Sequence, residues 1–265
     1  MAGTRDFNGK WALITGASAG IGVALARELA GCGAKLILTA RRKDRLETLA
    51  AELTSQGIEV RIVAADLNDP AAPQQVYDAT EGAGLTVDIL VNNAGLGQFG
   101  EFYRSSIAQE LSQVRVNCEA VVRLSRLFVP RMVERRRGWM LVVASTASYQ
   151  PIPYLNTYAA TKVFDRFFAQ GLAAEVAGQG VVVTTLCPGP TESEFFEISR
   201  SRVSGRSRQS AEEVAHLGIR GLERGKLTVI PNFAGHAGAM ASRFLPVSFV
   251  VRTIERVIRA KRLNG

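Results

Sequence analysis

Tyr158 and Lys162 stand four residues apart, and Ser145 precedes the tyrosine by thirteen. Positions i and i+4 share a helical face, so this spacing brings a primary ammonium within reach of a phenol. A nearby cation favours the phenolate, and an ordinary tyrosine with a pKa of about 10 holds its proton too tightly to act as a base near neutrality. The pair is therefore expected to loosen that proton and make Tyr158 an acid or base. Ser145 is placed to hold a carbonyl oxygen facing the hydroxyl. Alone, Tyr-x-x-x-Lys is as well explained by an ordinary amphipathic helix, so the surrounding elements have to decide.

The apolar run 139–144 suits a buried parallel strand ending at Ser145, and Phe164, Phe167, Phe168, Leu172 and Val176 recur at helical spacing beyond it. Near the start, residues 11–15 read as a short buried strand, followed by Gly16-Ala-Ser18-Ala19-Gly20-Ile21-Gly22 and a helical pattern through Ala30. In such a strand, turn and helix, Gly16 takes the tight turn, Gly20 lets the backbone approach a ligand, and Gly22 permits close helix packing. The free amides at the helix start then suit a diphosphate. The spacing Gly-x-x-x-Gly-x-Gly differs from the general dinucleotide fingerprint Gly-x-Gly-x-x-Gly, but the physics of the cradle is the same.

A second strand, 35–39, ends where the adenosine ribose of a dinucleotide would lie. An acidic residue there would select NAD(H). This chain has Ala40-Arg41-Arg42-Lys43 instead, which fits a 2′-phosphate and favours NADP(H) over NAD(H), with Arg41 as the first contact and Arg42 as the second. The plainer alternative is that both arginines open the helix 44–56 as solvated charges. A third strand, 59–65, ends at Asp66-Leu67, and a fourth, 88–91, ends in Asn92-Asn93-Ala94-Gly95. Strand C-termini form the ligand rim of a parallel sheet, so Asp66 is expected either to accept from the adenine amino group or to cap a helix, and residues 93–95 to lie against the cofactor. One long helix is expected over 106–137, with a kink or bulge at Asn117 freeing a backbone carbonyl for a water. A sixth strand, 180–186, ends in Cys187-Pro188-Gly189-Pro190-Thr191.

Residues 192–208 are polar and mixed, and 192–224 is expected to act as a substrate lid, with a plain surface loop or a basic partner-binding segment as alternatives. A helix over 210–224 starts with a Ser210/Glu213 capping box and leads to a last strand at 227–230. The segment 245–265 is amphipathic, with Val250, Ile254, Val257 and Ile258 opposite Arg252, Arg256 and Arg259. Packing on its own domain or a sister subunit is favoured over contact with a membrane surface.

The 265 residues, 47% hydrophobic and 21% charged, suit one α/β domain with no linker and no apolar run near the roughly 20 residues of a membrane helix. The absence of an apolar leader before the first strand and three scattered cysteines, Cys32, Cys118 and Cys187, point to a soluble, cytoplasmic protein with reduced thiols. Two histidines and no paired cysteines leave almost nothing for a metal site. The net charge of +8 draws anions without naming one, and the basic residues are too dispersed to argue for nucleic acid.

Thr15-Gly-x-x-x-Gly-x-Gly22, Asn92-Asn-Ala-Gly95, Asn117, Ser145 and Tyr158-x-x-x-Lys162, in this order, resemble the short-chain dehydrogenase/reductase family, the likeness running over 9–193. The resemblance implies a single Rossmann-like, doubly wound domain with a seven-stranded parallel sheet, a nicotinamide cofactor and a tetrad of Asn117, Ser145, Tyr158 and Lys162. It also implies that Lys162 bonds the nicotinamide ribose, that Asn117 anchors a water in a proton relay, and that Pro188, Gly189 and either Thr191 or Ser193 hold the carboxamide. The arginine run looks most like a subgroup of bacterial carbonyl reductases. Hydride transfer between NADPH and a carbonyl or secondary alcohol is expected, in a homodimer or homotetramer. The cleft is expected to be lined by 96–102, 149–154 and 192–208, with Phe99, Phe102, Tyr149, Ile152, Tyr154, Phe195 and Phe196 selecting a largely apolar substrate. A silent NADP(H)-binding sensor or scaffold is the alternative.

Overall fold

Strands β1 (Trp11–Thr15), β4 (Val87–Asn92) and β5 (Gly138–Val143) are buried along their whole length, as strands covered on both faces must be. With β2 (Lys35–Thr39), β3 (Val60–Ile62), β6 (Val181–Leu186) and β7 (Thr228–Val229) they form one seven-stranded parallel sheet in the order 3-2-1-4-5-6-7. The computed structural model describes residues 7–192, 209–232, 237–238, 241 and 244–263. Ser193, Phe195, Phe196 and the rest of 193–208 in the expected lid lie outside them.

The side-chain alternation of β1 divides the core. Ala12 and Ile14 pack with Leu25 and Leu29 of α1 (Gly20–Gly31), Leu46 and Leu53 of α2 (Lys43–Ser55), and Val214 and Ile219 of a later helix, α7 (Ala211–Glu223). Trp11 and Leu13 pack on the other face with Val76 of α3 (Ala72–Asp78) and with Leu124, Phe128 and Met132 of α5 (Ala120–Glu134). Each fully buried aliphatic or aromatic side chain contributes about 1.5–3 kcal/mol, so both layers hold the sheet rigid beneath its rim. The strand order reverses between β1 and β4, which opens a crevice at their C-terminal ends.

Several boundaries differ from expectation. The third strand is three residues rather than seven, because β3 is the sheet edge and Arg61 faces solvent. The last strand, on the other edge, is only two residues. The single helix expected over 106–137 is α4 (Ile107–Val114), a π-helical turn (Arg115–Glu119) containing Asn117, and α5.

In α6 (Asn156–Val176) Phe168, Leu172 and Val176 pack on the core as their spacing implies, but Phe164 and Phe167 do not. Phe164 is 38% and Phe167 61% exposed, whereas Ala159, Lys162, Asp165, Ala169 and Val176 are buried. The face turned to the sheet thus carries charges. The C-terminal helix α8 (Val247–Leu263) follows, and among the described residues no helix is long and apolar enough to cross a membrane.

Candidate active site

Gly16 has a φ of +68°, and a Cβ there would meet Ala94 Cα and Asn93 Nδ2, each at 2.9 Å. At Gly22 a Cβ would collide with the Gly16 carbonyl oxygen. Both positions therefore require glycine, the first for its left-handed turn and the second for helix packing. The N-cap of α1 is Ala19, which has no capping side chain, so no side chain competes with a ligand for the first amides. Thr15 staples this turn to the next strand: its hydroxyl donates to the Val91 carbonyl (3.1 Å) and accepts from the Asn93 and Ala94 amides, each at 3.0 Å. Asn93 Nδ2 returns a bond to the Thr15 carbonyl at 2.8 Å. The shape of the cradle in which a diphosphate would lie is thus fixed by main chain and by these bonds.

Beyond β2 the two arginines part. Arg42 donates to the Ser18 hydroxyl (3.2 Å through one terminal nitrogen, 3.3 Å through Nε) and lies on the glycine turn. Arg41 turns to Asp66, 3.9 Å away, with both side chains about half exposed. Asp66 caps no helix: its Oδ1 accepts from the Asn68 amide at 3.0 Å in a tight turn, and α3 starts six residues later.

The opposite wall of the crevice is made of side chains. Ser145 lies two residues beyond β5 in extended conformation; its hydroxyl accepts from the Ala147 amide (3.1 Å), donates toward the Pro188 carbonyl (3.5 Å) and is hydrogen-bonded to Tyr158. Lys162 is buried, its ammonium donating to the Val143 carbonyl at 2.8 Å and to Asp165 Oδ2 at 2.9 Å, with the Tyr158 ring centre 6.0 Å away. Asn117 is fully buried. Its Oδ1 accepts from the Leu96 amide (2.8 Å), while its Nδ2 donates to the Leu96 carbonyl (2.9 Å) and to Thr161 (2.8 Å). The side chain is thus fully occupied clamping the loop after β4 to α6, and Val116, not Asn117, reaches the cavity wall.

One expectation about acidity is reversed. Burial pushes the Tyr158 phenol above its ordinary value, and Lys162 and Ser145, which pull it down, do not fully offset that. Lys162 is held above its ordinary value despite burial, because Asp165 and Tyr158 favour the ammonium. The phenol is thus held in its protonated form, with the ammonium fixed beside it.

These groups face one cavity of about 680 Å³. Its wall includes Gly16, Ser18, Ala19, Gly20, Ile21, Gly22, Arg41, Arg42, Asp66, Leu67, Asn93, Ala94, Gly95, Ser145, Tyr158, Lys162, Pro188, Gly189 and Thr191. Thr191 is buried, its hydroxyl donating to the Gly189 carbonyl at 3.0 Å. Among the described residues, the aromatics expected at the substrate end, Phe99, Phe102, Tyr149 and Tyr154, are not part of this wall. Phe102 is 57% exposed, Phe99 pairs with Tyr154, and Tyr149 lies under the Arg166 guanidinium. Leu96 and Ile152 line it as expected, joined by Leu155 and by Thr253, Ile254, Val257 and Ile258 of α8. The apolar face of α8 was visible in its spacing, but nothing local tied a helix so near the C-terminus to this crevice. Asp165 was also missed, although it follows Tyr158 and Lys162 at i+7 and i+3 on one stripe. Among the described residues no group of side chains is arranged to hold a metal.

A family model described as short chain dehydrogenase matches residues 10–203. The very-long-chain 3-oxoacyl-CoA reductase of Anas platyrhynchos is 34% identical over 199 residues, covering 72% of this chain and 63% of that protein. The chain thus spans a little under two thirds of the curated relatives it matches. A short-chain dehydrogenase from Sphingobium yanoikuyae, solved in complex with NADPH, superposes with a TM-score of 0.82 at 31% identity, over 88% of this chain and 93% of that one. A family member from Burkholderia phymatum, solved with NAD, gives 0.81 at 26% identity over 89% and 93%. With the motifs, the sheet order and the crevice in agreement with these likenesses, the chain belongs to the short-chain dehydrogenase/reductase family.

Proposed function

We propose that this chain is an NADP(H)-dependent oxidoreductase that interconverts a carbonyl and a secondary alcohol on a largely apolar substrate. The observation that carries this is the meeting of Ser145, Tyr158 and Lys162 on one wall of a cavity whose other end is the glycine cradle. The cradle fits a dinucleotide, since a Cβ at Gly16 or Gly22 would fill or distort it. A bound nicotinamide would supply or accept the hydride. The chain's residues do the rest. Gly16 to Gly22 hold the diphosphate through backbone amides, Ser145 donates to the carbonyl oxygen, and Tyr158 delivers the proton that oxygen needs as it becomes an alkoxide. Lys162 stabilises the phenolate left behind. Arg42, on the glycine turn, supports a 2′-phosphate more directly than Arg41, which is drawn to Asp66 at the adenine side.

Leu96, Ile152, Leu155, Ile254 and Val257 favour an apolar substrate body. The name of the duck relative, a very-long-chain 3-oxoacyl-CoA reductase, supports a 3-oxoacyl thioester as the first class to try. The same reading includes a homo-oligomer, because Ile107, Leu111 and Val114 of α4 and Phe167 of α6 leave an apolar surface exposed. A cytoplasmic setting rests on three unpaired thiols. The test is Tyr158→Phe with NADPH and a long-chain 3-oxoacyl thioester: turnover should fall at least about a thousandfold while NADPH affinity stays within about twofold. Retained turnover would remove Tyr158 from its role, and wild-type inactivity on a broad carbonyl panel would favour a silent binding protein.

A further inference from the structure

Beneath the cavity wall Lys162 is held by a carboxylate that the tetrad does not contain. Asp165 Oδ2 lies 2.9 Å from the ammonium, and the two side chains are only 1% and 6% exposed. The second oxygen, Oδ1, is buried with no hydrogen-bond partner among the described residues, so the ammonium is the one group shown to compensate this charge. A carboxylate placed there solely for packing would be expensive, since a neutral side chain of similar size fills the same space without desolvating a charge. An ammonium has three donors. Val143 and Asp165 take two, which restricts rotation of the group and leaves the third for the cavity that Lys162 lines.

Charge counting gives the consequence. Burial pushes the Asp165 carboxyl up and the Lys162 ammonium pulls it back, so the group is ionised only because that ammonium is bonded to it. With Tyr158 protonated, the phenol, ammonium and carboxylate then sum to zero, and loss of the phenol proton leaves a net negative charge in a desolvated cluster. Without the carboxylate, the same loss would take the cluster from +1 to neutral. We propose that Asp165 is a positioning residue that, through Lys162, keeps Tyr158 protonated across the neutral range and so biases the site toward delivering a proton to a carbonyl rather than taking one from an alcohol. This rests on the catalytic reading of Tyr158 given above. It agrees with the direction of the Tyr158 shift, to which Asp165 contributes upward.

The other titratable groups near the cluster do not compete for the role. Cys118, on the π-helical turn, is pushed up to about 12, and Cys187, after β6, to about 11, both mainly by burial, so both are neutral over the relevant range. Arg166, next along α6, is turned to the Ser148 carbonyl at 3.0 Å and the Tyr149 ring.

The decisive experiment is a tyrosinate absorbance titration of the full chain. Tyr158 is isolated as wild type minus Tyr158→Phe, and again as Asp165→Asn minus Asp165→Asn/Tyr158→Phe. The Tyr158 transition should move down by at least about one pH unit when the carboxylate is removed, and Asp165→Glu should return it toward the wild-type position. In NADPH-dependent reduction of a 3-oxoacyl thioester, the high-pH limb of kcat/KM should move the same way. If Asp165→Asn does not fold, Asp165→Ser removes the same charge and is read identically. An unchanged Tyr158 transition would overturn the proposal, even if activity or melting temperature fell. Retained turnover in Tyr158→Phe would instead overturn the catalytic reading, and the absorbance titration would still decide the role of Asp165.

Discussion

At its glycine-turn end the crevice is shaped by backbone that must come close. Gly16, Gly20 and Gly22 bring the main chain to the surface, Ala19 leaves the first helical amides uncapped, and Thr15 and Asn93 tie the turn to the neighbouring strand. At the carbonyl end the wall is made of side chains from elements far apart in the chain: Ser145 from just beyond β5, Tyr158 and Lys162 from α6, Ile254 and Val257 from α8. At Gly16 and Gly22 the first end has no room for an added atom, and its charges, Arg41, Arg42 and Asp66, stand beside the turn rather than within it. The second has room, but its behaviour depends on the balance among a phenol, an ammonium and a buried carboxylate. Steric change should therefore be ruinous at one end and graded at the other, with charge the more sensitive variable where the side chains meet.

The largest effect should come from the added atoms. Gly22→Val places a branched side chain against the Gly16 carbonyl and the Asn93 amide nitrogen, both of which are held by the strand ends. Overpacking of this kind costs about 1–3 kcal/mol or more in stability. Because the displaced atoms are the cradle itself, NADPH affinity should fall at least about a hundredfold, well beyond the drop in melting temperature. Fluorescence titration with NADPH beside a thermal melt checks this; near-normal binding in a folded variant would remove the distinction between the two ends.

The next effect tests the guanidinium that lies on the glycine turn. Arg42→Ala removes a guanidinium fixed on Ser18. A charge-assisted bond to a phosphate is worth about 1.5–3 kcal/mol, so NADPH affinity should fall by about tenfold to a hundredfold while NADH affinity stays nearly constant. Arg41→Ala should do less, since that side chain is half exposed and turned to Asp66. The reverse order in competitive binding would return the 2′-phosphate to Arg41.

Legibility in the sequence follows the same division. The cradle could be read because its parts are contiguous: a five-residue apolar strand, a glycine turn and a helix occupy 11–31, and each residue's role follows from its neighbours. Ser145, Tyr158 and Lys162 were legible too, since strand end and helix face lie within eighteen residues of text. The π-helical turn was foreseen only as an irregularity at Asn117; that its amide would clamp Leu96 and Thr161 depends on which loop packs beside it. Phe168 packs on the core as its spacing implies, but two other phenylalanines of α6 misled, because apolar spacing marks a face without saying which partner covers it. Phe164 and Phe167 face outward, while Lys162 and Asp165, a poor choice for a core by type, are buried because each compensates the other. The raised proton affinity of Tyr158 was out of reach for a related reason, since desolvation is a property of the assembled wall. The sequence shows a cation at i+4 but not how much water has been removed.

The smallest effect probes the lining that the sequence placed elsewhere. Ile254 and Val257 reach the cavity from α8, whose Val250 and Ile258 are buried against the domain, with Tyr154 Oη donating to Glu255 at 3.3 Å. Ile254→Ala removes three carbons from a half-buried side chain, and burial of each such group contributes about 0.8 kcal/mol at most. The KM for a long-chain 3-oxoacyl thioester should therefore rise by about threefold to tenfold, with kcat little changed, because contact with the apolar body of a substrate is made equally in the ground state and the transition state. NADPH affinity should not move, since the cradle lies at the other end. A short-chain thioester should register a smaller change than a long one, as its tail would not extend along the helix. Equal effects on both chain lengths would mean that α8 acts by holding the wall in place rather than by touching substrate, and a parallel loss of NADPH affinity would show that the two ends of the crevice are not independent.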